Sequence, residues 1–213
     1  MADFMSLDLL TRWLHVLFGI TWIGLLYYFN FIQTEYVKEA TDEGKADVMA
    51  KLAPKALWWF RWGAMFTFIS GVILLALAGS RLNSYILVGA LAGTFMFLNV
   101  WLIIWPNQKV MLGLVDGDKT VAGPKAALAS RTNTLLSAPM LLGMLGSMHG
   151  AGSSIVPASV DVSNGLIAAL VVIVAVQANA LFGKMNGAIA SVKAVVHSSI
   201  VLSLVLLALM QFV

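Results

Sequence analysis

The chain contains no cysteine. Without cysteine a protein forms no disulfide, no thiolate-bound metal site and no iron–sulfur cluster. A c-type haem attached through a C-x-x-C-H motif is excluded for the same reason. The sequence therefore rules out the usual cysteine-based cofactors.

Charged residues are also scarce. They make up 11% of the chain, against about 25% in a typical soluble domain. Hydrophobic residues make up 60%, and the formal net charge is only +3. Because the few positive charges are scattered, a nucleic-acid partner is not expected. The composition instead predicts an integral membrane protein whose main partner is the lipid bilayer.

Motifs for common chemistries are missing as well. There are only three histidines, and the acidic residues are read as confined to the loops. A proton-driven transporter or a di-metal oxidase is therefore not expected. No Walker motif, H-E-x-x-H motif or Ser-His-Asp order occurs.

Long apolar runs are the main feature of the sequence. A membrane-spanning helix needs roughly 20 mostly apolar residues, and six segments qualify. They are residues 8–32, 56–79, 84–106, 126–149, 163–183 and 188–212. The sequence thus predicts an all-α fold, a polytopic membrane bundle of about six helices that forms a single transmembrane domain over residues 1–213.

The fourth of these segments is the most polar. Its stretch "SRTNTLLSAP" predicts a helix that is buried against its neighbours, where polar side chains find partners. Pro139 cannot donate a backbone hydrogen bond, so we expect a freed carbonyl one turn earlier that needs another partner.

Lysine is concentrated in the first, third and fifth connections. By the positive-inside rule these are cytoplasmic, and both termini then face outward. The outer connection at 150–164 is rich in Gly, Ser and Pro and is predicted to be irregular. The charged stretch 35–55 is interpreted either as a short amphipathic surface helix or as a solvated loop.

One face of the first helix carries the residues most suited to cofactor binding. Arg12, His15, Gly19 and Trp22 recur at intervals of three or four residues and share that face. Histidine is a common axial ligand of haem iron, Gly19 leaves room beside the imidazole, and Arg12 could pair with a propionate. The alternative is a histidine bonded to a neighbouring helix, with Gly19 allowing close helix packing.

The other two histidines are further candidates for the haem iron. His149 ends the fourth helix, where it could equally be an interfacial cap. His197 lies one turn from Lys193 in the last helix, deeper than His15 by the predicted orientation. Either one is a hypothetical second ligand to a b-type haem.

A second polar set lies toward the inner side of the bundle. Arg61 and Arg131 supply guanidinium groups, and Asn99 and Asn133 supply amides, which together could hold a small polar substrate such as a purine. For Arg61 the alternative is an end residue flanked by interfacial tryptophans.

Four stretches resemble one family. They are "RWLHVLFGITWIG" at 12–24, "ALWWFRWGAMFTFISGVILL" at 56–75, "IWPNQK" at 104–109 and "SRTNTLLSAPMLLGMLGSMH" at 130–149. Together they resemble the membrane domain of PuuD-type urate hydroxylases, the urate oxidase N-terminal family. The first stretch is also similar to CopD-type copper-resistance proteins and HemJ-type protoporphyrinogen oxidases.

The resemblance implies a multi-pass protein of the bacterial inner membrane that binds b-type haem and acts as a urate hydroxylase-like oxidoreductase. In that family electrons are thought to pass to a fused cytochrome c, which this cysteine-free chain lacks. A separate c-type cytochrome or a larger membrane complex would have to accept them. The alternative is a non-catalytic membrane protein without haem, either a small-solute carrier or an accessory subunit.

Overall fold

The computed structural model describes residues 2–149, 160 and 162–213, and within them it contains helices and no strand. The helices are α1 (Ala2–Tyr27), α2 (Thr34–Glu39), α3 (Asp42–Asp47), α4 (Ala53–Ala78), α5 (Ser84–Leu98), α6 (Trp105–Met111), α7 (Lys119–His149), α8 (Asn164–Phe182), α9 (Gly187–Ala190) and α10 (Val192–Phe212). Three π-helical turns, Tyr28–Gln33, Val48–Leu52 and Asn99–Ile104, join successive helices without a loop. The predicted all-α fold is confirmed for these residues.

Five helical stretches are long and apolar enough to cross a membrane. They are Leu7–Glu39, Asp42–Arg81, Ser84–Met111, Asn164–Phe182 and Val192–Phe212. Each contains most of one predicted span. The chain is therefore a multi-helix protein of the membrane type, while the count of six spans and the outward termini stay predictions.

The remaining predicted span lies in α7, a helix of 31 residues. Its polar residues are buried, as predicted: Arg131, Thr132, Asn133 and Thr134 are at most 5% exposed. The burial fits a helix whose polar side chains find partners inside the protein instead of facing lipid.

The charged stretch 35–55 is helical almost throughout. Only Ala40 and Thr41, both with extended backbone, interrupt it, and the Thr41 side chain caps α3 by accepting a hydrogen bond from the Gly44 N–H at 3.2 Å. The helical interpretation is thus confirmed. The predicted irregular connection at 150–164 falls mostly outside the described residues.

The chain divides into two compact units. Unit 1 comprises Met1–Ser70 and Phe97–Arg131, and unit 2 comprises Gly71–Met96 and Thr132–Val213. The boundaries fall inside continuous helices, and the single transmembrane domain stays a prediction.

In unit 1, α1 packs antiparallel to α4 through aromatic side chains. The rings of Phe18 and Phe66 lie 5.0 Å apart, and those of Phe29, just beyond α1, and Phe60 lie 5.5 Å apart. From the first ring pair to the second, the residue number rises on the first helix and falls on α4. The two helices therefore run antiparallel. Large aromatic surfaces contribute strongly to such a core.

In unit 2, glycines bring helix backbones into contact. A Cβ placed on Gly143 of α7 would lie 2.7 Å from the Gly89 nitrogen and 2.7 Å from the Tyr85 carbonyl oxygen of α5. Gly165 of α8 packs in the same way on the Leu209 carbonyl of α10. Small residues of this kind allow close helix approach where polar surface is sparse.

The carbonyl freed by Pro139 has the partner that the sequence analysis expected. Residue 139 would normally donate to the Leu135 carbonyl, and proline cannot. The Ser199 hydroxyl of α10 donates to that carbonyl at 2.8 Å. This bond ties α10 to the proline turn of α7 within unit 2.

We therefore expect Ser199→Ala to destabilise the protein by about 1–3 kcal/mol, because it leaves the Leu135 carbonyl buried without a partner. Pro139→Ala restores the missing N–H, so the same serine change should cost less in that background. Thermal unfolding of the two single variants and the double variant measures the coupling. Equal costs of Ser199→Ala in both backgrounds would contradict this assignment.

Candidate functional site

His15 lies on a stripe of α1 that faces α4 in unit 1. Its Nδ1 is 3.0 Å from the Ser70 hydroxyl. Further along the stripe, Gly19 lies opposite Thr67 and the Trp22 backbone lies opposite Gly63. Three of the four residues of the predicted face, His15, Gly19 and Trp22, thus face α4 together, and this is a helix-packing face at the same time.

The hydrogen bonds around Ser70 favour one tautomer of His15. The Ser70 hydroxyl lies within hydrogen-bond distance of two carbonyl oxygens of its own helix, that of Phe66 at 2.6 Å and that of Thr67 at 3.0 Å. When its single hydrogen is donated to one of them it accepts from His15, and we assign Nδ1 as the donor on this basis. The His15 side chain also forms a hydrogen bond with the Thr67 backbone. A metal-binding histidine is likewise oriented by a hydrogen bond on the ring nitrogen that does not bind the metal.

Gly19 and Gly63 differ in how close the neighbouring helix would lie to an added Cβ. A Cβ on Gly63 would lie 3.2 Å from the Trp22 nitrogen, so helix packing requires glycine there. A Cβ on Gly19 would meet only a methyl group of Thr67, at 3.9 Å. Helix packing therefore does not require glycine at position 19, and the room for a bulky group beside His15 stays a prediction.

Arg12 has a partner that the sequence analysis overlooked. Its Nε and Nη2 donate to the two carboxylate oxygens of Asp8 at 2.8 and 3.1 Å. Asp8 lies four residues earlier in a membrane-type helix, so the view that acids are confined to loops was wrong. The i, i+4 spacing could have revealed this pair. A propionate would have to share Arg12 with this carboxylate.

The other two histidines belong to unit 2 and are exposed. His149 is the last residue of α7, and His197 lies on α10 one turn after the exposed Lys193. Among the described residues, no group of three or more His, Cys, Asp or Glu side chains is placed to hold a metal ion. A haem iron needs only one or two such ligands.

Arg61 packs on a tryptophan of the third predicted span. Its guanidinium carbon is 3.8 Å from the centre of the Trp105 ring, a cation–π contact within unit 1. Trp58 and Trp59 beside it are 46% and 60% exposed. These contacts favour the alternative of an end residue among interfacial tryptophans.

The two asparagines of the predicted substrate set are fully buried in different units. Asn99 belongs to unit 1 and is 0% exposed. Asn133 belongs to unit 2, where its amide donates to the Met96 carbonyl at 2.9 Å. Asn133 thus joins α7 to α5 within its own unit.

Arg131 is the least satisfied of these residues. It is 5% exposed, and its Nη1 has no hydrogen-bond partner among the described residues. Glu35 interacts with it electrostatically, but the Glu35 carboxylate forms its ion pair with Lys38 at 2.7 Å. Arg131 therefore remains a buried guanidinium without an ion pair.

The chain as described is an all-α protein with five helices suited to span a membrane and a histidine hydrogen-bonded to Ser70 on the first of them. It belongs to the urate oxidase N-terminal family, whose model matches residues 77–211. The match includes the stretches at 104–109 and 130–149 on which the resemblance was based and extends through the last helix. No curated protein and no solved structure gives a significant match.

Proposed function

We propose that the chain is a urate hydroxylase-like membrane protein of the bacterial inner membrane that binds b-type haem through His15. The observation that carries this proposal is the hydrogen bond between His15 Nδ1 and the Ser70 hydroxyl at 3.0 Å, because it occupies Nδ1 and makes Nε2 the ring nitrogen that would bind the iron. Membership of the urate oxidase N-terminal family, whose model matches residues 77–211 and so begins after His15, supports the urate hydroxylase-like part of the proposal. The apolar character of the helix Leu7–Glu39 that carries His15 supports the membrane part.

His15 and its neighbours are the residues that would hold such a group. Ser70 would orient the imidazole through its hydrogen bond to Nδ1, and the small Gly19 lies one turn away on the same face. Bound haem would supply one-electron chemistry. Arg12 would steady a propionate together with the Asp8 carboxylate. His149 and His197 stay proposals for a second ligand.

The substrate in this proposal is a small molecule of the urate type. The predicted binding residues Arg61, Asn99, Arg131 and Asn133 stay proposals, and Arg131 is the one whose buried Nη1 has no hydrogen-bond partner among the described residues. As the acceptor of its electrons, a separate c-type cytochrome or a larger membrane complex stays a proposal.

Absorption spectra of the detergent-purified protein test the proposal. We expect a Soret band that shifts on reduction with dithionite, and a reduced spectrum when urate is added without oxygen. A colourless protein that co-purifies with a larger complex or transports a solute would instead support the non-catalytic alternative. A haem spectrum that does not change when urate is added would support haem binding and contradict the urate reaction.

Replacing Ser70 by alanine should weaken haem binding by roughly 10–100-fold, the usual effect of losing the group that orients a metal-binding histidine. Ser203→Ala is the matched control, since the Ser203 hydroxyl is also buried and also bonds a carbonyl of its own helix, at 2.8 Å. Haem titration of the apoprotein gives both affinities. Equal haem affinities of the Ser70→Ala and Ser203→Ala proteins would show that Ser70 does not orient the haem ligand.

A further inference from the structure

One tryptophan of unit 1 contacts two cations. The Arg61 guanidinium carbon lies 3.8 Å from the centre of the Trp105 ring, and the Lys109 ammonium nitrogen lies 5.8 Å from the same centre. All three residues belong to unit 1 and are half-buried. Both distances are within the range at which an indole ring attracts a cation. The ring therefore brings two positive charges, one from α4 and one from α6, to one place.

No carboxylate neutralises these two charges within the described residues. None of the ion pairs in that part of the chain includes Arg61 or Lys109, and neither side chain forms a hydrogen bond there. The ring attracts a cation but carries no net charge, so the two cations still repel each other. Because charged groups at membrane depth are normally paired, these two call for an anion from outside the chain.

The position of the two cations along their helices matches the headgroup region of a membrane. Arg61 lies in the helix Asp42–Arg81 and Lys109 in the helix Ser84–Met111, both of which are long and apolar enough to cross a bilayer. Arg61 is near the start of the predicted span 56–79, and Lys109 is just beyond the end of the predicted span 84–106. Both ends adjoin connections that the positive-inside rule predicts to be cytoplasmic.

Further tryptophans flank the two cations. Trp58 and Trp59 are 46% and 60% exposed, and the ring of Trp62 lies 5.8 Å from the ring of Trp101. Tryptophan is enriched at the level of lipid headgroups, because its ring has an apolar body and a polar N–H. Exposed apolar surface beside unpaired cations is complementary to a phospholipid, which presents acyl chains beside a charged headgroup.

We propose that Arg61 and Lys109, positioned by Trp105, bind the phosphate of an anionic phospholipid at the predicted cytoplasmic side of the membrane. Basic pockets between membrane helices bind such headgroups in other proteins. Arg61 offers several N–H donors to the phosphate oxygens, and Lys109 adds a second positive charge. The inference goes beyond the proposed function and requires neither haem nor urate. It gives Arg61 a lipid partner in place of the substrate role predicted from the sequence.

Tryptophan fluorescence tests this site directly, because most of the seven tryptophans of the chain lie at residues 58–62 and 101–105. Lipids with brominated acyl chains quench the tryptophans that they contact. The protein is reconstituted in phosphatidylcholine vesicles that contain a minor fraction of either brominated phosphatidylglycerol or brominated phosphatidylcholine. We expect phosphatidylglycerol to bind at least roughly tenfold more tightly, since two cations face its phosphate. Equal quenching by the two brominated lipids would overturn the proposal.

Arg61→Gln and Lys109→Gln each remove one cation and should each lower this preference about fivefold, the usual effect of one basic residue near an anionic lipid surface. Lys119→Gln is the matched control, because Lys119 lies in the same predicted connection as Lys109 but is exposed at the start of α7. A general attraction of basic residues for anionic lipid would be lowered equally by all three changes, and that result would overturn the proposal. An unchanged preference in Arg61→Gln or in Lys109→Gln would overturn it as well.

Two further variants separate the charge of the site from the packing of its helices. Arg61→Lys keeps the positive charge, so it should retain more of the preference than Arg61→Gln does. Equal losses in these two variants would mean that Arg61 acts through packing alone, and would overturn the proposal. Trp105→Leu removes no charge, yet it should lower the preference because the ring no longer positions the cations. An unchanged preference in Trp105→Leu would contradict the positioning role of the ring.

Soluble phosphates distinguish a lipid ligand from a free anion. Glycerol 1-phosphate carries the phosphate of phosphatidylglycerol without its acyl chains, and inorganic phosphate carries the phosphate alone. At millimolar concentration neither compound should relieve the quenching by brominated phosphatidylglycerol, because neither covers the exposed tryptophan surface. Complete relief by either compound would assign the two cations to a soluble phosphate and overturn the lipid proposal.

Discussion

His15→Asn is expected to abolish the Soret band of the purified protein while the protein remains folded. The Asn side-chain amide can still donate to the Ser70 hydroxyl, as Nδ1 of His15 does at 3.0 Å. It has no second nitrogen with a free lone pair, so it cannot bind iron in place of Nε2. The change therefore removes the ligand and keeps the contact between α1 and α4.

The control variants for this prediction are His149→Asn and His197→Asn. Both histidines are exposed and belong to unit 2. At most one of these changes should affect the spectrum, and that one would identify the second axial ligand. If His15→Asn keeps the band at wild-type intensity, His15 serves only to join the helices and the haem proposal fails.

Gly143→Ala is expected to cause a large loss of stability. The new Cβ would lie 2.7 Å from two backbone atoms of α5, the Gly89 nitrogen and the Tyr85 carbonyl oxygen. Backbone atoms cannot rotate aside, so α5 and α7 must separate. We expect a cost of about 3 kcal/mol, toward the upper end of typical overpacking changes.

Two other helical glycines provide a graded comparison. Gly24 of α1 has nothing within 4 Å of an added Cβ, so Gly24→Ala should stabilise the protein by about 0.5–1 kcal/mol. A Cβ on Gly146 would meet a ring carbon of Tyr85 at 3.1 Å, and because that side chain can move, the loss should be intermediate. Melting temperatures should rank Gly24→Ala highest and Gly143→Ala lowest. A Gly143→Ala protein as stable as Gly24→Ala would contradict the close contact of α5 and α7.

The sequence alone was sufficient to predict the helices and their buried polar segment. Runs of about 20 apolar residues have few alternatives to helix, and polar residues such as Asn133 inside such a run must be buried with partners. The missing N–H of Pro139 likewise predicted a carbonyl in need of a donor, and Ser199 supplies it. These predictions depend on chain chemistry that any membrane-type helix bundle must satisfy.

The contacts between helices could not be predicted in the same way. Spacing on α1 placed His15 and Gly19 on one face, but it could not show that Ser70 would meet His15 or that Thr67 would leave Gly19 open. The π turns were missed because they arise from one extra residue per turn, which apolar patterns do not reveal.

The buried, unpartnered polar atoms of Gln33 and Trp101 were not predicted either, because Trp101 resembles the interfacial tryptophans around it and Gln33 lies at the end of an apolar run. One available signal was not used: Arg131 and Asn133 are two residues apart, and such residues do not share a helix face. That spacing argues against placing both in one pocket.

The most direct test of the central claim, that His15 binds a haem iron, is the electron paramagnetic resonance spectrum of the oxidised purified protein. The account predicts a ferric haem signal in the wild type that is absent from His15→Asn. A wild-type protein without a ferric haem signal, or a signal that persists in His15→Asn, would contradict it.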